Sequence, residues 1–226
     1  MATDEPETLP RAYTPAAGYH MLTPLYDLSV ALTTRETLWR ERLVRHMALA
    51  GSDILLDVGA GTGNLAAAVA RHGSGAAYHG IDPDEAAIAI ARRKTCDAVP
   101  RPLFRTGPFS AGAVGDWPRP NKAALCLVLH QVELAEKARL LRELWLALAD
   151  DGQLYIADYG AQRSRAMRWL FRLTIQQLDG VRDTQPNADG MLPMLIADAG
   201  FGDIREVAQF RTITGSLSII AAKKAA

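Results

Sequence analysis

The sequence predicts a doubly wound α/β sheet, mostly parallel, with an antiparallel C-terminal hairpin and helices on both faces. Three observations carry that prediction. Short apolar runs alternate with helical periodicity between residues 54 and 157. A glycine-rich turn joins the first of these runs to the helix behind it. Near the C-terminus, strand-like runs at 204–212 and 216–221 are separated by little more than Ile213, Thr214 and Gly215. That is too little chain for a crossover helix, so the two runs pair as a hairpin.

In chain order, residues 1–34 read as an acidic, proline-rich arm and cap with little periodicity. Thr33 and Glu36 have capping-box spacing ahead of a helix whose apolar side is Leu38, Trp39, Leu43 and Met47, stopped at Gly51. Then follow a strand at 54–58, a helix at 63–72, a strand at 76–81, a helix at 84–94, a short strand at 103–106 and an apolar run at 123–129. A helix places Leu134, Ala138, Leu141, Leu144 and Leu148 on one side, and a strand follows at 153–157. Strands this apolar must be covered on both faces, which makes them parallel with crossover helices. After them come a helix at 163–178, a polar loop through Pro186 and Asn187, and a helix at 192–198. The reading is one domain: the arm at 1–34, a ligand-binding core at 35–160, a helical insert at 161–200 and the hairpin at 201–226.

Composition narrows the partners. With 226 residues, 49% hydrophobic and 22% charged, the chain is ordinary globular protein. Lys and Arg total 25 against 25 for Asp and Glu, so no bulk field draws it to nucleic acid or to an anionic membrane. Cys96 and Cys126 form no CxxC pair, and His20, His46, His72 and His79 have no metal-ligand spacing, so neither a disulfide framework nor a metal is expected. The N-terminal stretch lacks a basic region followed by an apolar one, and no apolar run reaches spanning length. A cytoplasmic protein, monomer or homodimer, without stable membrane insertion, is the expectation.

The stretch from Ile54 to Leu65 carries the most chemistry. An apolar strand runs into Gly59, Gly61 and Gly63, which let the backbone turn sharply and approach a ligand where a Cβ would intrude. A dinucleotide fingerprint needs G-x-G-x-x-G, whereas here the turn is G-x-G-x-G followed by Asn64. Asp57, two positions before Gly59, suits a ligand with an ammonium group. Asp82 lies 19 residues beyond Gly63, near the spacing of an acid that accepts both ribose hydroxyls, although Pro83 also suits a turn or helix-capping Asp.

The segments LLDVGAGTGNLA at 55–66, GIDPD at 80–84 and LADDGQLYIADYG at 148–160 resemble the motifs of the class I S-adenosylmethionine-dependent methyltransferases, and the resemblance runs from about residue 35 to the end. It implies a Rossmann-like sheet of seven strands whose last strand inserts antiparallel. It further implies that Gly59, Ala60, Gly61 and Thr62 wrap the methionine part of S-adenosylmethionine and that Asp82 holds the ribose. Gly107, Pro108 and Phe109 stand beside adenine, where the family often has Gly-Asp-Ala, with Phe109 and Pro83 as walls. Cys126 and Leu127 face the sulfonium side. Ahead of the first strand, Leu25 to Leu28 and Leu38 to Arg40 are similar to the ubiquinone/menaquinone C-methyltransferase branch. That branch's Arg-Asn after the fourth strand is replaced here by His130-Gln131.

Methyl transfer from a sulfonium is an in-line displacement, so positioning dominates and a base is optional. His130 is the first candidate for a proton acceptor, or else it orients backbone or substrate; Glu133 and Tyr159 come next, with a helix N-terminus and a turn as their alternative roles. The acceptor is a small, partly apolar molecule, lipophilic in one version: a phenol, a quinone-like ring or an amine. It is enclosed by Tyr19 and Tyr26 of the arm, by His130 and Tyr159, and by Arg168 of the insert. In that insert Met167, Leu170, Phe171, Thr174 and Leu178 have helical spacing beside Arg165, Arg168 and Arg172. This is a lid, a core-facing helix or a membrane-surface helix, and the neutral net charge favours the first two. A nicotinamide oxidoreductase is disfavoured by the glycine spacing and by the lack of a Tyr-x-x-x-Lys pair. A binder of S-adenosylmethionine or S-adenosylhomocysteine that catalyses nothing is the third class.

Overall fold

The computed structural model describes residues 35–225. Its elements, in order, are α1 (Glu36–Met47), β1 (Ile54–Val58), α2 (Asn64–His72), β2 (Ala77–Asp82), α3 (Glu85–Lys94), β3 (Leu103–Thr106), β4 (Lys122–Cys126), α4 (Leu134–Ala147) and β5 (Gln153–Tyr159). The insert contributes α5 (Arg165–Leu173), α6 (Ile175–Leu178), α7 (Val181–Ala188) and α8 (Leu192–Asp198), followed by β6 (Phe201–Thr212) and β7 (Gly215–Lys224). One seven-stranded sheet has the order β3-β2-β1-β4-β5-β7-β6. The first five strands are parallel, and β7 pairs antiparallel with both β5 and β6. This is the doubly wound Rossmann-like architecture that the sequence predicts. Among the described residues no helix is long and apolar enough to cross a membrane.

Alternation along the strands explains the two cores. Leu56, Val58, Ala123, Leu125, Leu154 and Ile156 pack with α4 and α8 on one face. Leu55, Ala124, Tyr155 and Ala157 pack with Trp39, Leu43 and Met47 of α1 and Leu65 and Val69 of α2 on the other. Strand order reverses between β1 and β4, and in open α/β sheets the place for a ligand is beyond the carboxyl ends of the strands at such a reversal.

Several local expectations are corrected. Thr33 lies outside the described residues; Arg35 occupies the α1 N-cap at φ 57, and Glu36 is instead bonded by Arg40 and by Asn64 Nδ2 at 3.0 Å. The helix expected at 163–178 breaks at Thr174, whose hydroxyl bonds back to the Leu170 carbonyl at 2.7 Å and to that of Thr214 at 3.3 Å. The loop expected at Pro186-Asn187 is part of α7, with Pro186 inside it. Fully buried Asn187 explains this tertiary override, since its amide donates to the Tyr159 carbonyl at 3.0 Å. In α4 the buried side is Lys137, Leu140, Leu141, Leu144 and Ala147, whereas Leu134 and Ala138 face solvent. The apolar run at 123–129 leaves the strand after Cys126, where Leu127 turns the chain at φ 56.

Candidate active site

At the β1–β2 end the site is built by backbone. The N–H groups of Gly59 and Ala60 donate to the Ile81 carbonyl at 2.8 and 3.1 Å, locking the turn onto β2. A Cβ on Gly59 (φ 78) would fall 2.4 Å from Val128 Cγ2, and one on Gly63 (φ 78) would strike Ala91. At Gly61 (φ 52) a Cβ would meet nothing within 4 Å among the described residues, so this glycine borders open space on their side. Its N–H donates to Asp82 Oδ2 at 2.8 Å, while Asp82 Oδ1 accepts from the Asp84 N–H at 2.8 Å. Burial raises the Asp82 carboxyl against those two bonds. Asp84, not Asp82, caps α3, its side chain accepting from the Ala86 and Ala87 N–H groups. Thr62 is buried and accepts from Lys94 Nζ at 3.1 Å.

Beneath this turn lies a polar group that sequence reasoning only half found. Asp57 is buried, its Oδ2 bonded by the Tyr78 hydroxyl, and burial pushes its carboxyl up to about 6. Among the described residues its Oδ1 is buried with no partner, and so is Nε of Arg40, whose positive charge acts on Asp57. Arg40 lies on α1, a turn away from Glu36, and stacks over Trp39 at 4.5 Å. Its chemistry was hidden in a helix face read for its apolar members.

The loop after β3 differs in part from expectation. Gly107 (φ 143) donates its N–H to the Asp82 carbonyl at 3.0 Å, tying its loop to β2, and Pro83 and Pro108 keep accessible surface. Phe109 is only 4% exposed and packs in the core with Val114 and Leu129, which leaves little ring to serve as a wall.

At the β4–β5 end the site is built from buried charge. Asp158 of β5 is fully buried, and its carboxylate accepts from the N–H groups of Leu129, His130 and Tyr159 at 2.7, 3.3 and 2.7 Å. His130 Nδ1 lies 2.7 Å from Asp158 Oδ1, and its Nε2 lies 3.4 Å from Asp179 Oδ2, just beyond α6. Burial alone would lower the imidazole, but Asp158 and then Asp179 outweigh it and raise the group to about 9. With both nitrogens facing carboxylates, the charged form of His130 is favoured, which supports the orienting role over that of proton acceptor.

Tyr159 stands edge-on to His130 at 5.0 Å and shares a 2.8 Å hydrogen bond with the Thr214 hydroxyl. Glu133 sits at the α4 N-cap with no side-chain capping bond, 4.0 Å from exposed Arg182. Cys126 closes β4 beside Leu127, and burial pushes its thiol up. Arg168, nearly half exposed, pairs with Asp189 at 3.1 Å and donates to the Ala188 carbonyl at 3.4 Å. Tyr19 and Tyr26 lie outside the described residues.

Of this charged group the sequence reading named only His130 as a site residue, missing Lys137, Asp158 and Asp179. Fully buried Lys137 donates to the Leu129 carbonyl and, at 2.8 Å, to that of Asp183, and burial lowers its ammonium to about 8. Lys137 falls in helical register with Leu141, Leu144 and Leu148, a signal that it faces the core. Asp158 stands in an otherwise apolar strand, the same kind of signal. Among the described residues no group of three or more His, Cys, Asp or Glu side chains could hold a metal ion.

Residues 56–154 match a family model described as a methyltransferase domain. No curated protein matches the sequence significantly. Among solved structures, human N-acetylserotonin methyltransferase in complex with S-adenosylmethionine is similar at 18% identity and TM-score 0.62, over 82% of this chain and 52% of that one. An O-methyltransferase family protein from Burkholderia thailandensis is similar at 14% identity and TM-score 0.72, over 90% and 60% respectively. A Bacillus halodurans protein described as a putative methyltransferase, 16% identical with TM-score 0.65, is covered over 99% of its length by 83% of this chain. The chain thus spans little more than half the length of the first two.

Proposed function

Residues 56–154 form a methyltransferase domain on the class I S-adenosylmethionine-dependent methyltransferase fold, and from that premise we propose that the chain transfers a methyl group from S-adenosylmethionine to a small, partly apolar acceptor. The observation that carries the reading is the open side of Gly61, bounded by the Asp82 carboxylate at the switch point of the sheet. The residues fit the cofactor: Asp82 keeps lone pairs for the ribose hydroxyls, and buried Asp57 Oδ1 and Arg40 Nε are, among the described residues, orphaned atoms of opposite charge, matching a zwitterionic amino-acid tail. Backbone at Gly59, Ala60 and Gly61 lines the approach, with Thr62 and Gly63 fixing α2 behind it. Pro83, Gly107 and Pro108 bound the adenine side, and Cys126 and Leu127 the sulfonium side.

When bound, the cofactor supplies an electrophilic methyl group on a sulfonium. The chain's own work is to align an acceptor and to keep water out. His130 acts here as a positioning residue: its two ion pairs tie the segment after β4 to the end of β5, through Asp158, and to the insert, through Asp179. Tyr159, buried and bonded to the Thr214 hydroxyl, packs edge-on against it and holds it in place. A phenolic or ring-carbon acceptor therefore loses its proton to solvent or to a group other than His130, such as Glu133.

Side-by-side calorimetric titration with S-adenosylmethionine, S-adenosylhomocysteine and NADH tests the reading, followed by turnover on phenols, quinone-like rings and amines. Micromolar binding of the first two and none of NADH is the expected result; binding of NADH alone overturns it. Asp82→Ala weakens S-adenosylmethionine by about 1.5–3 kcal/mol if its carboxylate holds the ribose. Unaltered affinity in that variant removes the ribose role.

A further inference from the structure

Helix α5 presents a solvent face that neither the fold nor the proposed reaction uses. At about 100° per residue, buried Phe171 points inward, and Trp169 and Leu173 lie within about 20° of the opposite direction. They are 61% and 54% exposed, whereas Phe171 is 0% exposed. Arg165 and Arg172 flank them on one side of the same face, about 60–80° from its centre. Leu178 and Val181, just beyond along the insert, are 77% and 54% exposed.

Charge decides what covers such a face. The other arginines of the insert have carboxylates: Arg163 pairs with Glu206, Arg168 with Asp189, and Arg182 lies 4.0 Å from Glu133. Arg165 and Arg172 have no carboxylate at ion-pair distance among the described residues. A second copy seated by the same face of α5, a helix with no Asp or Glu, would offer these arginines no carboxylate on that helix. An anionic bilayer surface meets both demands: apolar depth for an indole and a leucine, and lipid phosphates for the flanking guanidinium groups. The neutral net charge, which in the sequence favours the other readings of this helix, is outweighed by the local arginines, because screening limits the attraction to charges within about 10 Å of the surface.

We propose that the outer face of α5, centred on Trp169 and Leu173 and flanked by Arg165 and Arg172, docks reversibly on anionic lipid membranes. An amphiphilic acceptor drawn from the bilayer would follow, and that consequence alone rests on the methyl-transfer reading. Docking needs neither cofactor nor acceptor, so the two can fail separately.

The test is co-sedimentation of the full chain with vesicles of phosphatidylcholine alone and of phosphatidylcholine mixed with phosphatidylglycerol, at low and high salt. Binding to the mixed vesicles that falls with salt, with little binding to the neutral ones, is expected. Arg165→Glu with Arg172→Glu should cut that binding roughly tenfold or more. Trp169→Ser with Leu173→Ser should abolish it, and circular dichroism melting should show both variants folded, since the four side chains are exposed. Tryptophan emission should shift blue on mixed vesicles in the parent chain and not in Trp169→Phe. No sedimentation with mixed vesicles, or equal sedimentation of parent and variants, overturns the proposal. A parent dimer that Trp169→Ser with Leu173→Ser converts to monomer overturns it in favour of self-association.

Discussion

The two ends of the site are built by different physics. At the β1–β2 end, backbone N–H groups, positive-φ glycines and one carboxylate from the next strand set the shape within residues 57–84. At the β4–β5 end, Asp158, His130, Lys137, Asp179 and Asp183 are brought together from segments up to 53 residues apart. The first end is a local turn that tolerates no added atoms at Gly59. The second is a charge network that tolerates no removed partner. Cofactor affinity should therefore be set at one end, and stability together with acceptor alignment at the other.

The sharpest way to break that contrast is Asp158→Ala. It strands three backbone donors and leaves the buried His130 cation facing Asp179 alone, so a loss of about 3–5 kcal/mol is expected in urea denaturation. A loss below about 1 kcal/mol would mean the charges are not mutually dependent. Next in size is the glycine pair. Gly59→Ala adds a clash with Val128 to an unfavourable φ, and should cost about 2–4 kcal/mol of stability. Gly61→Ala carries only the φ penalty, about 1–2 kcal/mol, since its Cβ enters open space. Its larger effect should appear in S-adenosylmethionine affinity, measured by calorimetry. Equal stability losses would remove the distinction between them.

This difference also explains what the sequence disclosed. Strands 54–58 and 103–106 and the C-terminal hairpin are coded by short-range pattern: the two strands stand at their expected bounds, and the hairpin forms as expected but with each of its strands three or four residues longer. The helix in α7 was not legible, because Pro186 argues locally for a loop and the opposing evidence is the bond from Asn187 to Tyr159, 28 residues away. His130 was legible as a position but not as a charge state. Its two carboxylates arrive from β5 and from the end of α6, and no spacing announces that both reach one imidazole.

A pH series sharpens the charged end. Folding raises His130 from about 6.5 to about 9, so its contribution is fully present below about pH 6.5 and fades as pH rises through about 9. Lys137, lowered to about 8, works with the opposite sign above that pH. The difference between the parent and His130→Gln therefore isolates the histidine better than the parent curve does. The gap in urea-derived stability between the two should narrow steadily from neutral pH to about pH 9. A gap that stays constant would mean that His130 is held neutral, and would reopen it as a base.

The smallest effect concerns Arg168, which the sequence placed at the acceptor and the structure places in a solvent-exposed pair with Asp189. Both side chains are close to half exposed, so water screens the attraction and ordering two flexible chains offsets it. Arg168→Ala should then cost no more than about 0.5 kcal/mol in stability. Because folding is so little affected, the variant isolates recognition. A raised KM for the acceptor, with kcat and stability unchanged, would return Arg168 to the acceptor wall through a closure of the insert. An unchanged KM would confine it to the surface and leave acceptor choice to other residues.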